Sequence, residues 1–186
     1  MKKLVKTLFF SALILGFSYG ALLALSAMNE KKVSLFNGDK KISPAVEHYR
    51  PVFQKYADQN QIGQYTDLLM AVAMQESKGH SPDIMQSSES IGLPRNTIKN
   101  PDYSIKVGTK YFKKAIDKSN GNVHLALQSY NYGTGFIDYV KHHGGAYSRT
   151  LAEQFARSQA SARGWTSYGD PLYVDHVLRY YHTEKK

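Results

Sequence analysis

The sequence predicts an all-α fold, with one compact domain of about six or seven helices over residues 43–186, behind an N-terminal transmembrane or signal helix. Apolar side chains recur every three or four residues along most of that range, which is the period of an amphipathic helix. No segment alternates apolar and polar residues as a half-buried strand does. A chain of 186 residues without cysteine is long enough to bury one core, so it needs no disulfide or metal for stability.

The first element is an uncharged run from Leu8 to Met28, preceded by Lys2, Lys3 and Lys6. A basic start followed by an apolar stretch is the order of a signal sequence. As a helix the run would cover about 30 Å, which is the thickness of a bilayer core. The preceding lysines favour a cytoplasmic N-terminus, so the rest of the chain is expected outside the membrane.

Two interpretations of residues 1–28 remain open, a signal anchor or a cleaved signal peptide. The length of the run favours the anchor, whereas the small residues of Ala24-Leu25-Ser26 would suit cleavage and release into the wall. Residues 29–42 are polar and rich in lysine and are interpreted as a linker. The predicted location is therefore extracytoplasmic, with attachment to the membrane through the N-terminal helix.

Helical signals begin directly after the linker. Ser43-Pro44 has the pattern of an N-cap followed by proline in the first turn, and the helix it opens is expected to end near Asn60. A second helix from Thr66 to Glu76 is almost entirely apolar, which predicts a central position in the core. Residues 78–100 have no sustained period and are rich in Ser, Gly, Pro and Asn. They are interpreted as a long loop, and long loops in a compact domain are usually functional or disordered.

Five further helical segments follow the loop. They are expected after Asp102, over 123–130 and 136–140, and over 148–162, with a last helix from Asp170-Pro171.

Glu76 is the first candidate for chemistry, because it ends the most apolar helix and stands just before the loop. Partial burial disfavours the charged form of a carboxyl group and raises its pKa. The C-terminal end of a helix acts in the same direction. A glycosidase acid must hold a proton near neutral pH, so the position suits that role. The alternative is an ordinary solvated glutamate at a helix end.

Three motifs extend this interpretation: Glu76-Ser77, then Asp83-Ile84-Met85-Gln86, then the run from Ala126 to Gly133. Their order and spacing resemble the goose-type lysozyme and lytic transglycosylase superfamily. More closely, residues 66–182 resemble the CwlT-type lysozyme-like domain of bacterial wall hydrolases, including the stretch from Tyr168 to Val174. The resemblance covers most of the chain after the linker.

The resemblance implies that Glu76 is the catalytic acid. It also implies that Met85 and Gln86 line the cleft and that Tyr130 and Asn131 face the scissile sugar. Aromatic side chains pack against the apolar faces of sugars, so neighbouring tyrosines are expected to take part. The residues expected to bind substrate are Met85, Gln86, Ser87, Tyr130, Asn131 and Tyr132.

The second catalytic group is less defined. Goose-type lysozymes carry an aspartate two residues after the Met-Gln pair, where this chain has Ser88 followed by Glu89. Glu89 is therefore a candidate base, or else a loop carboxylate that caps the next turn. Asp102 is a weaker candidate that N-capping would explain. Asp83 replaces the usual glycine of the superfamily, so either the local turn differs or Asp83 is a capping residue.

These residues predict a muramidase that cleaves the bond between N-acetylmuramic acid and N-acetylglucosamine in peptidoglycan glycan strands. The alternatives are a lytic transglycosylase, which needs only one glutamate and leaves 1,6-anhydro ends, and a non-catalytic wall-binding surface protein. The formal net charge is +9, but more than half of it lies before residue 42, and no nucleic-acid motif is present. No metal or cofactor is expected, since no ligand spacing occurs. A monomer is expected.

Overall fold

The computed structural model describes residues 40–181, and within this range the chain is all-α, with eight helices and no strand. The predicted signal or anchor helix and nearly all of the predicted linker lie outside the described residues. No helix between residues 40 and 181 combines the length and apolarity needed to cross a membrane. The helices are α1 (Pro44–Glu47), α2 (Arg50–Gln59), α3 (Thr66–Glu76), α4 (Pro101–Lys118), α5 (Val123–Tyr132), α6 (Gly135–His142), α7 (Arg149–Arg163) and α8 (Tyr173–Leu178).

The single helix predicted from Ser43 to Asn60 is in fact two, α1 and α2. Ser43 caps α1 as expected, with its Oγ accepting a hydrogen bond from the Val46 amide. The break is explained by Pro51, which cannot donate to the carbonyl of Glu47 and whose ring would clash with it. This break is one reason why the count exceeds the six or seven helices predicted.

The predicted position of α3 is confirmed, because this helix lies at the centre of the main core. Every residue from Leu68 to Met74 is at most 5% exposed. Side chains of α1, α2, α4, α5 and α8 belong to the same cluster. Full burial of each large apolar side chain contributes about 1.5–3 kcal/mol, so α3 is the element to which the other helices are fixed.

A second, aromatic cluster joins α5, α6 and α7. The ring of Tyr132 lies 5.3 Å from Phe136, 5.4 Å from Phe155 and 5.7 Å from Tyr168, measured between centroids. The Tyr132 hydroxyl donates to the carbonyl of Ala152 at 3.1 Å. Tyr132 therefore fixes the end of α5 against α7.

Two helix starts differ from the prediction. The N-cap of α4 is Asn100, whose side chain accepts from the Tyr103 amide, so the predicted N-capping role of Asp102 is wrong. Asp102 instead accepts a hydrogen bond from the Tyr56 hydroxyl at 2.5 Å. The last helix begins at Tyr173 rather than at Asp170.

Candidate active site

The C-terminal end of α3 opens into a cleft of about 640 Å³. The cleft is walled by the loop after α3, by the end of α5 and by the segment after α7. Besides Glu76, it is lined by Gln86, Ser87, Glu89, Ser90 and Arg95, by Tyr111 and the run from Tyr130 to Gly133, and by Arg163, Trp165, Ser167, Tyr168 and Gly169.

Glu76 lies partly buried where α3 meets this cleft. Burial raises the pKa of its carboxyl group to about 7, although the hydrogen bond from Tyr173 and the charge of Arg95 act in the opposite direction. The negative charges of Asp83 and Asp170 add to the increase in pKa. Glu76 can therefore hold a proton near neutral pH and still reach the cleft, as a general acid must.

Tyr173 holds the Glu76 carboxyl group in place. Its ring is 2% exposed at the start of α8, and its hydroxyl donates to Glu76 Oε1. Because a phenol donor favours the charged form of a carboxyl group, Tyr173 limits the increase in pKa that burial causes. The sequence interpretation counted Tyr173 only as an apolar residue of the last helix, although it belongs to a stretch that carried the family resemblance.

Asp83 is the centre of a buried hydrogen-bond network under the loop. Its carboxylate is fully buried and accepts from the backbone amides of Ser87 (2.9 Å) and Ser88 (3.1 Å). The hydroxyls of Ser88 (2.5 Å) and Ser104 (2.6 Å) also donate to it. Burial alone would raise the pKa of Asp83, but these hydrogen bonds together lower it. Asp83 is therefore a structural anion that ties the loop to α4.

Asp83→Asn should lower the free energy of unfolding by about 2–3 kcal/mol, because an amide offers one acceptor oxygen where the carboxylate offers two and sets N–H groups against donors. Because the pKa of Asp83 is lowered in the folded protein, its contribution to stability also depends on pH. The stabilisation by Asp83 is present above its unfolded pKa of about 3.9 and is lost as the pH falls through the lower folded value. Chemical denaturation between pH 2 and pH 7 measures both effects.

The matched control is Asp117→Asn, which removes an exposed carboxylate paired with Lys113. Surface pairs of this kind contribute about 0–1 kcal/mol. Equal unfolding free energies for the two variants would contradict the structural role of Asp83.

The position of Met85 differs from the prediction that this residue lines the cleft. The Met85 side chain is fully buried beneath it, and its carbonyl accepts from the Tyr130 hydroxyl at 3.0 Å. Tyr130 does line the cleft. Gly108 of α4 makes this packing possible, since a Cβ there would lie 2.6 Å from Met85 Sδ and 2.8 Å from the Tyr130 hydroxyl.

Gln86 presents its amide group to the cleft. Its Nε2 donates to the carbonyl of Asp83 at 2.9 Å and to Asn96 Oδ1 at 2.6 Å, and its Oε1 accepts from Arg95 Nε at 3.3 Å. The backbone of Gln86 has a φ of 48°, whereas Asp83 is not among the residues of positive φ. The left-handed torsion of this turn therefore falls on Gln86, and aspartate meets no strain where the superfamily has glycine.

Ser87 and Asn131, which were both expected to bind substrate, line the cleft, but each also forms a hydrogen bond within the protein. The Ser87 hydroxyl donates to the carbonyl of Ser104 at 3.0 Å. Asn131 Oδ1 accepts from the Asp170 amide at 2.7 Å, which fixes the turn that leads into α8. Between residues 40 and 181 nothing is hydrogen-bonded to Asn131 Nδ2, so this amino group is available to a ligand.

Glu89 lies in a short 3₁₀ turn, Ser88–Ile91, and lines the same cleft as Glu76. Its side chain is exposed and makes no hydrogen bond or ion pair within the described part of the chain, so the structure does not support the capping alternative. Of the acidic residues in that part, these two are the ones that line the cleft. Sequence reasoning missed Arg95 and Arg163, which also line it.

Known proteins share this architecture. The lysozyme-like family model matches residues 43–185. The bifunctional muramidase/DL-endopeptidase CwlT of Bacillus subtilis is 50% identical over 96% of this chain and 57% of the relative. The uncharacterized membrane protein YocA of the same organism is 40% identical over 60% of this chain and 51% of the relative. The chain thus spans little more than half the length of either relative.

A solved structure agrees with this match. A Staphylococcus aureus protein described as similar to a lipoprotein of the NLP/P60 family superimposes with a TM-score of 0.72 at 34% identity. The match covers 78% of this chain and 55% of the other. The resemblance stated from the sequence motifs is confirmed, and the chain belongs to the lysozyme-like family, with a domain of the CwlT type.

Proposed function

We propose that this chain is a peptidoglycan muramidase in which Glu76 is the general acid. The observation that carries the proposal is the Glu76 carboxyl group, partly buried at a cleft, with a pKa raised to about 7. It would donate its proton to the glycosidic oxygen between N-acetylmuramic acid and N-acetylglucosamine as the bond breaks. The muramidase activity in the name of the Bacillus relative supports the same reaction.

Glu89 is the proposed base that activates water. Asp83 cannot take this role, because its carboxylate is fully buried and surrounded by donors. Asp102 lies outside the cleft and is hydrogen-bonded to Tyr56. Glu89 has no competing partner among the described residues. In this scheme water attacks the anomeric carbon of muramic acid and Glu89 takes its proton, which leaves a reducing end.

The remaining predicted residues have distinct roles in this proposal. The amide of Gln86, the free amino group of Asn131 and the ring of Tyr130 would contact the sugars from the cleft wall. Met85 would act indirectly, since its carbonyl fixes Tyr130. Tyr132 would support this side of the cleft through its contacts with α6 and α7. Ser87 would hold the loop in shape.

Peptidoglycan lies outside the cytoplasmic membrane, so the proposed activity would take place there. We propose that residues 1–28 attach the chain to that membrane, as the basic start and the long uncharged run indicate. The membrane protein named among the relatives is consistent with this location.

Mass spectrometry of purified peptidoglycan after digestion by the full chain tests the reaction. Muropeptides with reducing muramic acid ends are expected, because hydrolysis adds water at the anomeric carbon. Anhydro ends would instead establish a lytic transglycosylase. Intact strands that sediment with the protein would establish a wall-binding role, and heat-inactivated chain is the control.

A further inference from the structure

Trp165 is an exposed aromatic residue in the cleft that the proposed reaction does not use. It is 58% exposed, more than any other large hydrophobic residue of the described range. It is also the one tryptophan in the sequence. Tryptophan is highly buried on average, so an open ring at a concave surface indicates a ligand.

The ring of Trp165 is held in a defined orientation. Gly164 ends α7 with a φ of 65°, and the Trp165 amide donates back to the carbonyl of Ala160 at 2.9 Å. The Trp165 ring stacks on Tyr168 with a centroid separation of 6.2 Å and an interplanar angle of 21°. The Tyr168 hydroxyl donates to the carbonyl of Tyr132 at 2.9 Å, which connects the stack to the aromatic cluster.

Arg163 adds a positive charge to this stack. Its guanidinium carbon lies 5.6 Å from the centre of the Trp165 ring and 5.0 Å from that of Tyr168. One guanidinium nitrogen donates to Gln159, but Arg163 forms no ion pair with any residue between 40 and 181. A cation that lines a cleft without a carboxylate partner is available to an anionic ligand.

We propose that Arg163, Trp165 and Tyr168 form a subsite that binds an N-acetylhexosamine ring on Trp165 and a carboxylate of the attached stem peptide on Arg163. The apolar C–H face of a hexosamine packs against an aromatic ring, and the guanidinium fork matches the geometry of a carboxylate. The identity of the ligand rests on the proposed function, since the polymer that combines these two groups is peptidoglycan.

Fluorescence of Trp165 tests the sugar contact directly. In the full chain with Glu76→Gln, a hexamer of N-acetylglucosamine should produce a saturable change in tryptophan emission. By calorimetry, Trp165→Ala should weaken binding of this hexamer about tenfold, while Trp165→Phe retains most of the affinity. The matched control is Tyr103→Ala, which removes an aromatic ring that is 46% exposed outside the cleft and should have no effect.

Glycan strands freed of phosphate polymers test the contact with the carboxylate. Arg163→Gln should weaken binding of strands that carry stem peptides about tenfold. The same variant should not affect binding of the N-acetylglucosamine hexamer, which carries no carboxylate. Arg157→Gln, an exposed arginine of the same helix outside the cleft, is the control. An equal effect of Arg163→Gln on the strands and on the hexamer would overturn the assignment of the carboxylate.

The outcomes separate this subsite from the proposed reaction. A saturable Trp165 signal in a chain that never cleaves peptidoglycan would support the subsite and contradict the glycosidase. Two results together would contradict the subsite and leave the glycosidase intact: efficient digestion by Trp165→Ala at the wild-type KM, and Trp165 emission in the Glu76→Gln chain that no glycan changes.

Discussion

Glu76→Gln is expected to reduce wall digestion by about 100-fold or more, because the amide keeps the shape of the side chain but has no proton to donate. The wild-type rate should fall as the pH rises through about 7, since the raised pKa keeps Glu76 protonated below that value. Initial rates of solubilisation of purified peptidoglycan between pH 5 and pH 9 measure both effects.

The control for this variant makes the same chemical change elsewhere. Glu153 is a partly exposed residue of α7 outside the cleft, and its contact with Arg157 is 3.9 Å long, so Glu153→Gln should leave both the rate and the pH profile unchanged. Wild-type turnover by a folded Glu76→Gln variant would remove Glu76 from the mechanism.

The second large effect is expected for Glu89→Gln, which should lower the turnover rate by about 100-fold with little change in KM. A base acts mainly in the transition state, so its removal affects the chemical step more than substrate binding. The Glu89 side chain is exposed and forms no hydrogen bond or ion pair within the described residues. Its loss should therefore leave the unfolding curve unchanged.

Because Glu89 has no such partner among the described residues, an effect on the rate can be separated from an effect on stability. A loss of rate cannot be attributed to a damaged loop if thermal unfolding of the variant and the wild type coincide. An unaffected rate with reducing-end products would exclude Glu89 as the base.

The helical class and the position of Glu76 could be predicted because both depend on local sequence. The period of apolar residues defines a helix face, and α3 is apolar on every face from Leu68 to Met74. Pro51 also indicates the division between α1 and α2 in the sequence. The apolar period continues across the break, however, and therefore predicted a single helix.

The rest of the site could not be predicted, because it depends on contacts between distant parts of the chain. Tyr173 reaches Glu76 across 97 positions in sequence, and no local pattern indicates that contact. Motif resemblance placed Met85 beside the cleft but could not tell which way its side chain points. Arg95 and Arg163 carry no periodic signal, because an arginine in a loop or at the end of a helix is compatible with almost any surface.

The network around Asp83 has a consequence for the thermodynamics of glycan binding. The loop between α3 and α4 contributes Gln86, Ser87, Glu89, Ser90 and Arg95 to the cleft. Ordering the backbone of such a loop costs about 1–2 kcal/mol per residue in conformational entropy. Since Asp83 fixes the loop in the unbound protein, that entropy is lost during folding and not on association. The glycan strand therefore meets a rigid surface, and its affinity depends on the contacts themselves.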